Sequence, residues 1–151
     1  MPNPPSPSPA RIGSIAMEDY LEQISQLIAE KGYARVIDIA EKLSISQASV
    51  TNMVKRLDAE GLVNYEKYRG MTLTERGEEV ADYIIRRHEL LTRFLQLFGI
   101  DDETIYDDVE GMEHHISSPT MRVFEALVKE LETSPDAVKR IRSELQKNST
   151  Q

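Results

Sequence analysis

Apolar residues recur every three or four positions along most of the chain, a spacing that predicts amphipathic α-helices. The first stripe predicts a helix from residue 15 to about residue 31, ended by Gly32. A long helix is predicted over residues 75–98, followed by the helix that contains residues 107–115. Two further helices are predicted after Pro119 and after Pro135. The pattern therefore indicates a mainly α-helical protein.

Residues 34–60 predict a helix-turn-helix. A short amphipathic helix comes first, and a tight turn at residues 44–45 follows it. Ser46 then caps a second helix. The predicted buried face of this second helix consists of Val50, Met53 or Val54, and Leu57. Two short helices across a turn of three or four residues are typical of DNA-binding proteins.

A β-hairpin is predicted directly after the second helix. Gly61 ends that helix, and residues 62–66 and 71–74 have the composition of strands. The tip at residues 67–70 is basic and aromatic, which suits contact with a phosphate backbone. The alternative is a plain solvent-exposed turn. Because the hairpin follows a helix-turn-helix, the order of elements favours a winged helix.

The outward side chains of this winged helix are the predicted DNA contacts. Small and amide side chains near the start of the second helix suit base edges, and cations further along suit phosphates. Short polar helices are common, so the helix alone would leave this function open. The predicted contacts are Gln47, Ala48, Ser49, Thr51, Asn52, Lys55 and Arg56 on the helix, and Lys67, Tyr68 and Arg69 on the hairpin.

Composition narrows the chemistry of the chain. The 151 residues include no cysteine, which excludes disulfides, thiolate metal sites and cysteine nucleophiles. No apolar run has the length of a membrane span or of a signal peptide, so we expect a cytoplasmic protein with no membrane partner. The net charge is −8, yet residues 31–76 carry eight Lys or Arg against six Asp or Glu, whereas residues 77–132 carry five against fourteen. A mildly basic module therefore precedes a strongly acidic one.

Residues 107–115 contain the densest group of metal-binding side chains. Read as a helix, this stretch places Glu110, Glu113 and His114 on one face, about 5–6 Å apart. Two carboxylates and an imidazole at that distance suit a divalent cation. A solvated acidic helix is the alternative.

Two more places in the chain offer similar donors. Asp19 and Glu22 form another carboxylate pair, which could instead complement the macrodipole at a helix start. His88 interrupts the apolar stripe of the long helix, where a core histidine is the alternative. Four carboxylates and two imidazoles would suit a binuclear site for Mn²⁺ or Fe²⁺, with Zn²⁺, Co²⁺ or Cd²⁺ as substitutes. The six candidate ligands are Asp19, Glu22, His88, Glu110, Glu113 and His114.

A catalytic dinuclear centre is the rival explanation for these donors. The di-iron enzymes built on helix bundles use Glu-x-x-His motifs, and this sequence contains none. It also offers no Ser/His/Asp order and no candidate nucleophile. We therefore expect a protein that is not an enzyme and that takes no organic substrate.

Five segments, in order and suitably spaced, carry a family resemblance. They are MEDYLEQI at 17–24, EKGYARVIDIAEKL at 30–43, NYEKYRG at 64–70, RRHELLTRFL at 86–95 and IYDDVEGMEHH at 105–115. Together they resemble the manganese-sensing branch of the diphtheria toxin repressor family. The resemblance implies a homodimer that binds double-stranded operator DNA when Mn²⁺ is bound and usually represses manganese uptake genes. It assigns metal binding to the same six residues, whereas the iron-sensing branch carries Met and Cys in place of Asp19 and Glu113.

The sequence thus predicts a winged helix-turn-helix domain at residues 15–74 and a helical metal-binding and dimerisation domain at residues 75–145. Residues 1–14, rich in proline, and residues 146–151 are predicted to be disordered tails. Because Asp19 and Glu22 belong to the first domain, metal would fasten the two domains together. The competing hypotheses are a winged-helix regulator that senses iron, zinc or a small organic ligand and, least favoured, a dinuclear metalloenzyme.

Overall fold

The computed structural model describes residues 14–149, in which helices predominate and two short strands form a hairpin. By its internal contacts the described part of the chain divides into two units, the first ending at residue 85 and the second beginning at residue 86. The division falls inside a long helix, and the predicted domain boundary at 74/75 coincides with the start of that helix. Apart from Ser14, the tail predicted at residues 1–14 lies outside the described residues.

The first helix, α1 (Ile15–Lys31), begins and ends where its sequence predicts. The Ser14 hydroxyl oxygen accepts a hydrogen bond from the backbone N–H of Met17 at 3.3 Å, which satisfies one of the free donors at the helix start. At the other end Gly32 has φ +83°, the left-handed conformation that glycine adopts without steric cost. These two caps fix the length of α1.

The predicted helix-turn-helix consists of α2 (Val36–Leu43) and α3 (Gln47–Ala59). The Ser46 hydroxyl accepts the backbone N–H of Ser49 at 3.2 Å and so caps α3 as predicted. Val54 is fully buried whereas Met53 is half-buried, which decides between the two candidates for the inner face of α3.

The hairpin consists of the antiparallel strands β1 (Val63–Glu66) and β2 (Gly70–Leu73). An isolated bridge joins it to the segment before α2, since the N–H of Met71 donates to the carbonyl of Ala34 at 2.8 Å. Gly70 has φ +102°, and a Cβ at this position would lie 2.6 Å from the Ala34 oxygen. Only glycine therefore fits where the hairpin meets the bridge.

One apolar core holds the first unit together. It is built from α1, the helix-turn-helix, the hairpin and the first turns of α4 (Glu75–Gln96). Thr74 fixes the start of α4, because its hydroxyl accepts the N–H of Gly77 at 3.0 Å and donates to the carbonyl of Gly61 at 2.7 Å. The fully buried large side chains of this core are Leu21, Ile24, Ile39, Val50, Val54, Leu57, Leu62, Val63, Met71 and Ile84.

The second unit contains the end of α4, then α5 (Asp102–Met112), α6 (Ser118–Glu132) and α7 (Pro135–Asn148). Its core is smaller and consists of Leu91, Ile105, Val109 and Met121. Because α7 continues to Asn148, the first residues of the tail predicted at 146–151 are helical, and residues 150–151 lie outside the described part. No helix among residues 14–149 is long and apolar enough to cross a membrane.

The prediction of one continuous helix through residues 107–115 is wrong at the C-terminal end. The α-helix stops at Met112, and Glu113–His115 form a 3-10 helix. Such tighter turns, with i to i+3 hydrogen bonds, are frequent at the ends of α-helices. Here the tighter turn contains Glu113 and His114, and both side chains are buried.

Candidate metal centre and DNA-binding surface

Three of the predicted metal ligands lie together in the second unit. They are His88 on α4, Glu110 on α5 and Glu113 in the 3-10 helix, and one donor atom of each lies within 4.8 Å of the others. Nδ1 of His88 is 2.9 Å from Oε2 of Glu113 and 3.9 Å from Oε1 of Glu110. Neighbouring ligands of an octahedral ion with bonds of about 2.1 Å are themselves about 3 Å apart. These donors are therefore already near the separations that one cation requires.

His114, a fourth predicted ligand, lies beside this cluster. Its Nε2 is 3.5 Å from Oε1 of Glu113, and its ring is buried. Its other nitrogen, Nδ1, is 3.4 Å from Nη2 of Arg87, a side chain that is itself only 3% exposed. Sequence reasoning did not identify Arg87.

Glu113 provides the test of whether this cluster suits a metal ion. Its side chain is fully buried, and Oε1 has no hydrogen-bond partner. Burial raises the pKa of the Glu113 carboxyl, while the hydrogen bond from His88 and the charge of its ring act in the opposite direction. Burying a carboxylate oxygen that accepts no hydrogen bond costs free energy, and a bound divalent cation would offset that cost. The donor set therefore fits a metal that prefers oxygen and imidazole ligands.

The other two predicted ligands, Asp19 and Glu22, lie on α1 in the first unit. Both side chains are half-buried, and their i, i+3 spacing places them on one face of the helix. Their participation in the same metal site as the donors of the second unit stays a prediction.

The predicted DNA contacts on α3 are largely accessible. Six of the seven side chains are exposed, and Thr51 is half-buried. The hydroxyl of Ser49 accepts a hydrogen bond from that of Ser46 at 2.9 Å. Arg56 approaches α1, with Nη2 3.9 Å from Sδ of Met17. Among the predicted contacts on α3, the exposed side chains long enough to reach a ligand outside the chain are Gln47, Asn52, Lys55 and Arg56.

The hairpin tip also exposes its predicted contacts. Tyr68 is 91% exposed and has φ +70°, and Nζ of Lys67 lies 5.1 Å from the centre of its ring. Arg69 is 3.5 Å from Glu66, but both side chains are largely exposed, and such surface ion pairs are weak. Both cations are therefore available to phosphate groups.

Arg35 adds an exposed cation beside the hairpin that sequence reasoning missed. It follows Ala34 directly, and the Ala34–Met71 bridge brings this segment against β2. Its guanidinium lies 4.8 Å from the ring centre of Tyr33. The bridge joins residues far apart in sequence, so no local pattern could have indicated this position.

Comparison with known proteins supports both halves of this description. Residues 14–71 match the family description "Iron dependent repressor, N-terminal DNA binding domain". Residues 74–142 match "Iron dependent repressor, metal binding and dimerisation domain". The chain is 53% identical over 126 residues to "HTH-type transcriptional regulator MntR" of Lysinibacillus sphaericus. The matched region covers 83% of this chain and 91% of the relative. It is 56% identical over 102 residues to the protein of the same description from Bacillus subtilis. That match covers 68% of this chain and 72% of the relative.

Solved structures give the same result for the fold. The "Structure of the manganese regulator SloR" aligns with a TM-score of 0.65 at 32% identity, over 75% of this chain and 53% of that one. A "Manganese-dependent transcriptional repressor complex with manganese" aligns with a TM-score of 0.65 at 27% identity. This alignment covers 75% of this chain and 52% of the solved chain. This chain thus spans about half the length of these two solved chains. The mainly α-helical fold with a winged helix, and the resemblance to metal-dependent regulators, are both confirmed, and the chain belongs to the iron dependent repressor family of transcription regulators.

Proposed function

We propose that this chain is a manganese-responsive transcription regulator of the cytoplasm. It acts as a homodimer, binds double-stranded operator DNA in its metal-bound form and represses genes for manganese uptake. The observation that carries the proposal is the buried Glu113 carboxylate, which meets His88 and Glu110 at ligand-like separations. The names of the relatives support it, since they describe MntR regulators and a manganese regulator.

The ligands of the proposed site are the four donors of the second unit together with Asp19 and Glu22 of α1. Four carboxylates and two imidazoles suit two divalent cations, and the absence of sulfur favours Mn²⁺ or Fe²⁺ over metals that select thiolates. Zn²⁺, Co²⁺ and Cd²⁺ are substitutes that such donors also bind. When bound, the metal would supply positive charge to the carboxylates that hold it.

The remaining roles fall to α3 and the hairpin of the first unit. Gln47, Ala48, Ser49, Thr51 and Asn52 are placed to meet base edges, while Lys55, Arg56, Lys67, Tyr68 and Arg69 meet the backbone. In a dimer the two α3 helices would read the two half-sites of an operator. No organic substrate and no catalytic step enter this function.

The proposal is tested by measuring metal content and DNA selection on the same protein. Chelator-treated protein is titrated with MnCl₂ and analysed for bound manganese, and a library of random duplexes is selected with and without Mn²⁺. We expect manganese uptake and the recovery of a two-fold symmetric sequence only with Mn²⁺. His88→Ala should lose both, whereas His115→Ala, which removes an exposed histidine, should keep both. Recovery of the same sequence with and without Mn²⁺ would refute metal control.

A further inference from the structure

Arg35 lies between α1 and α2, in a segment that backbone hydrogen bonds fix against the hairpin. The N–H of Ala34 donates to the carbonyl of Met71 at 3.3 Å, and the N–H of Met71 donates to the carbonyl of Ala34 at 2.8 Å. This antiparallel pairing sets Arg35 beside Gly70, where a Cβ would lie 3.4 Å from Cγ of Arg35. The stem of the Arg35 side chain therefore runs past the residue that follows the hairpin tip.

The Arg35 side chain is unfavourable for the helix that it precedes. Arg35 is the N-cap of α2, a position where a side-chain oxygen usually accepts a backbone N–H, and its side chain makes no such bond. A guanidinium has no acceptor, and its charge lies at the positive end of the helix dipole. Serine or asparagine would stabilise this helix start better than arginine does. Residues that break a local rule without a gain inside the fold are expected at functional sites.

The guanidinium of Arg35 is restrained but not neutralised. It lies 4.8 Å from the ring centre of Tyr33, a distance typical of a cation–π contact. Within residues 14–149, no carboxylate forms an ion pair with this guanidinium. Asp38, one turn further along α2, is instead paired with Lys31 at 3.4 Å. The charge and the N–H groups of Arg35 are therefore available to an anion outside the chain.

The hairpin tip beside Arg35 combines a local cost with exposure in the same way. The N–H of Arg69 donates to the carbonyl of Glu66 at 3.1 Å and closes a turn whose third residue is Tyr68. Tyr68 has φ +70°, although glycine or asparagine usually occupies a third turn position with positive φ. Its ring is almost fully exposed, and Nζ of Lys67 lies 5.1 Å from the ring centre. Both neighbouring segments thus present a cation together with an aromatic ring.

We propose that Arg35 is a DNA contact that extends the surface formed by Lys67 and Arg69 to a further phosphate group. DNA fits this surface because three exposed cations side by side suit a row of phosphates, and arginine binds a phosphate through two N–H groups at once. Tyr33 restricts the orientations of the guanidinium, which reduces the entropy lost when the contact forms. This inference rests on the proposed function and adds to it a residue outside both α3 and the hairpin.

Melting curves of the protein without metal and DNA test whether Arg35 serves the fold instead. Arg35→Ser supplies the missing cap to α2, so its melting temperature should be at least as high as that of the parent. Arg140→Ser, which removes an exposed arginine of α7, is the control for the lost charge. A melting temperature of Arg35→Ser well below that of both other proteins would give Arg35 a structural role and overturn the proposal.

Fluorescence anisotropy over a series of salt concentrations tests the contact itself. The probes are the duplex selected with Mn²⁺ and a random-sequence duplex of the same length, each in buffer with MnCl₂. Arg35→Ser should weaken binding to both by about tenfold at 0.1 M salt and flatten the salt dependence by about one unit of slope. Arg35→Lys, which keeps the charge, should keep the slope of the parent. Added to Lys67→Ala with Arg69→Ala, Arg35→Ser should remove one further unit.

The control and the parent separate the possible failures. Arg140→Ser should bind both duplexes with the slope of the parent. If Arg35→Ser also keeps that slope, Arg35 does not touch DNA and the proposal is wrong. An equal loss of slope in Arg140→Ser would assign the effect to the net charge of the chain and overturn the proposal as well. A parent that binds neither duplex would refute the proposed function instead.

Discussion

Oε2 of Glu113 lies 2.9 Å from Nδ1 of His88, so that a fully buried carboxylate has a half-buried imidazole as its partner. In the metal-free chain this hydrogen bond partly offsets the cost of burying the carboxylate. The second oxygen of Glu113 receives no such bond. The centre therefore holds an incompletely compensated negative charge, and this imbalance favours a cation.

Substitution of Glu113 separates metal binding from folding. Glu113→Gln removes a buried charge but keeps an oxygen that can accept the hydrogen bond from His88, so we expect the metal-free free energy of unfolding to change by no more than about 1 kcal/mol. Mn²⁺ affinity should fall by at least about tenfold, because even residues behind the ligands have effects of that size. Melting curves with and without Mn²⁺ measure both quantities, and Glu125→Gln, an exposed carboxylate on α6, is the control. Intact Mn²⁺ uptake with a much less stable metal-free protein would assign Glu113 a structural role.

The hairpin tip should contribute affinity for DNA without sequence preference. Replacing Lys67 and Arg69 together by alanine should weaken binding to all duplexes alike and flatten the salt dependence by about one unit of slope for each lost phosphate contact. Lys139→Ala with Arg140→Ala, two exposed cations on α7, removes the same charge elsewhere. Binding is measured by fluorescence anisotropy over a series of salt concentrations. Equal slopes for the parent and the Lys67/Arg69 variant would exclude the hairpin from the DNA interface.

Asp101 should make the stability of the second unit depend on pH. Its carboxylate caps α5, accepting the N–H of Thr104 at 2.9 Å and the hydroxyl of the same residue at 2.8 Å, and these hydrogen bonds lower the pKa of Asp101. Because folding lowers this pKa, the ionised carboxylate stabilises the folded protein at pH values above the unfolded-state pKa of about 3.9. That stabilisation is lost as the pH falls through the pKa of the folded state.

The matched variant for this effect is Asp101→Asn, which can still cap α5 but does not titrate. As the solution is acidified below about pH 4, the melting temperature of the parent should fall more steeply than that of Asp101→Asn. Asp101→Ala should be less stable than both at neutral pH, because it loses the cap altogether. Parallel pH profiles for the parent and Asp101→Asn would show that the charge of this carboxylate plays no part.

The elements that local signals define were predicted well from the sequence. The capping serine before α3, the glycine after α1 and the basic tip between two strands each act over a few residues, and the structure places them where expected. The cluster of candidate metal ligands was partly predictable for the same reason, since Glu110, Glu113 and His114 are close in sequence. The 3-10 turn was not, because spacing over three residues does not distinguish it from an α-helix.

The burial of Arg87 could have been predicted from the sequence, but its partner could not. Val80, Ile84, Arg87 and Leu91 follow the spacing of one helical face, and all four are buried. That periodicity would have predicted a buried charge on α4 next to the candidate ligand His88. Its partner, His114, lies 27 residues away in sequence, and no local pattern identifies such a pair.

The last prediction concerns coupling between metal and DNA. In the proposed function Glu22 of α1 is a metal ligand, so we expect metal binding to be coupled to DNA binding by the first unit. We expect Mn²⁺ to raise the affinity for the selected duplex by about 1–3 kcal/mol, the usual size of such coupling, and linkage then requires the duplex to tighten Mn²⁺ binding by the same factor. Glu22→Gln should weaken both effects together while leaving metal-free DNA binding unchanged. Glu30→Gln, an exposed position on the same helix, should alter neither. Mn²⁺ affinity is measured with and without the duplex for all three proteins. If the duplex leaves the Mn²⁺ affinity of the parent unchanged, the metal stabilises the fold and does not control DNA binding.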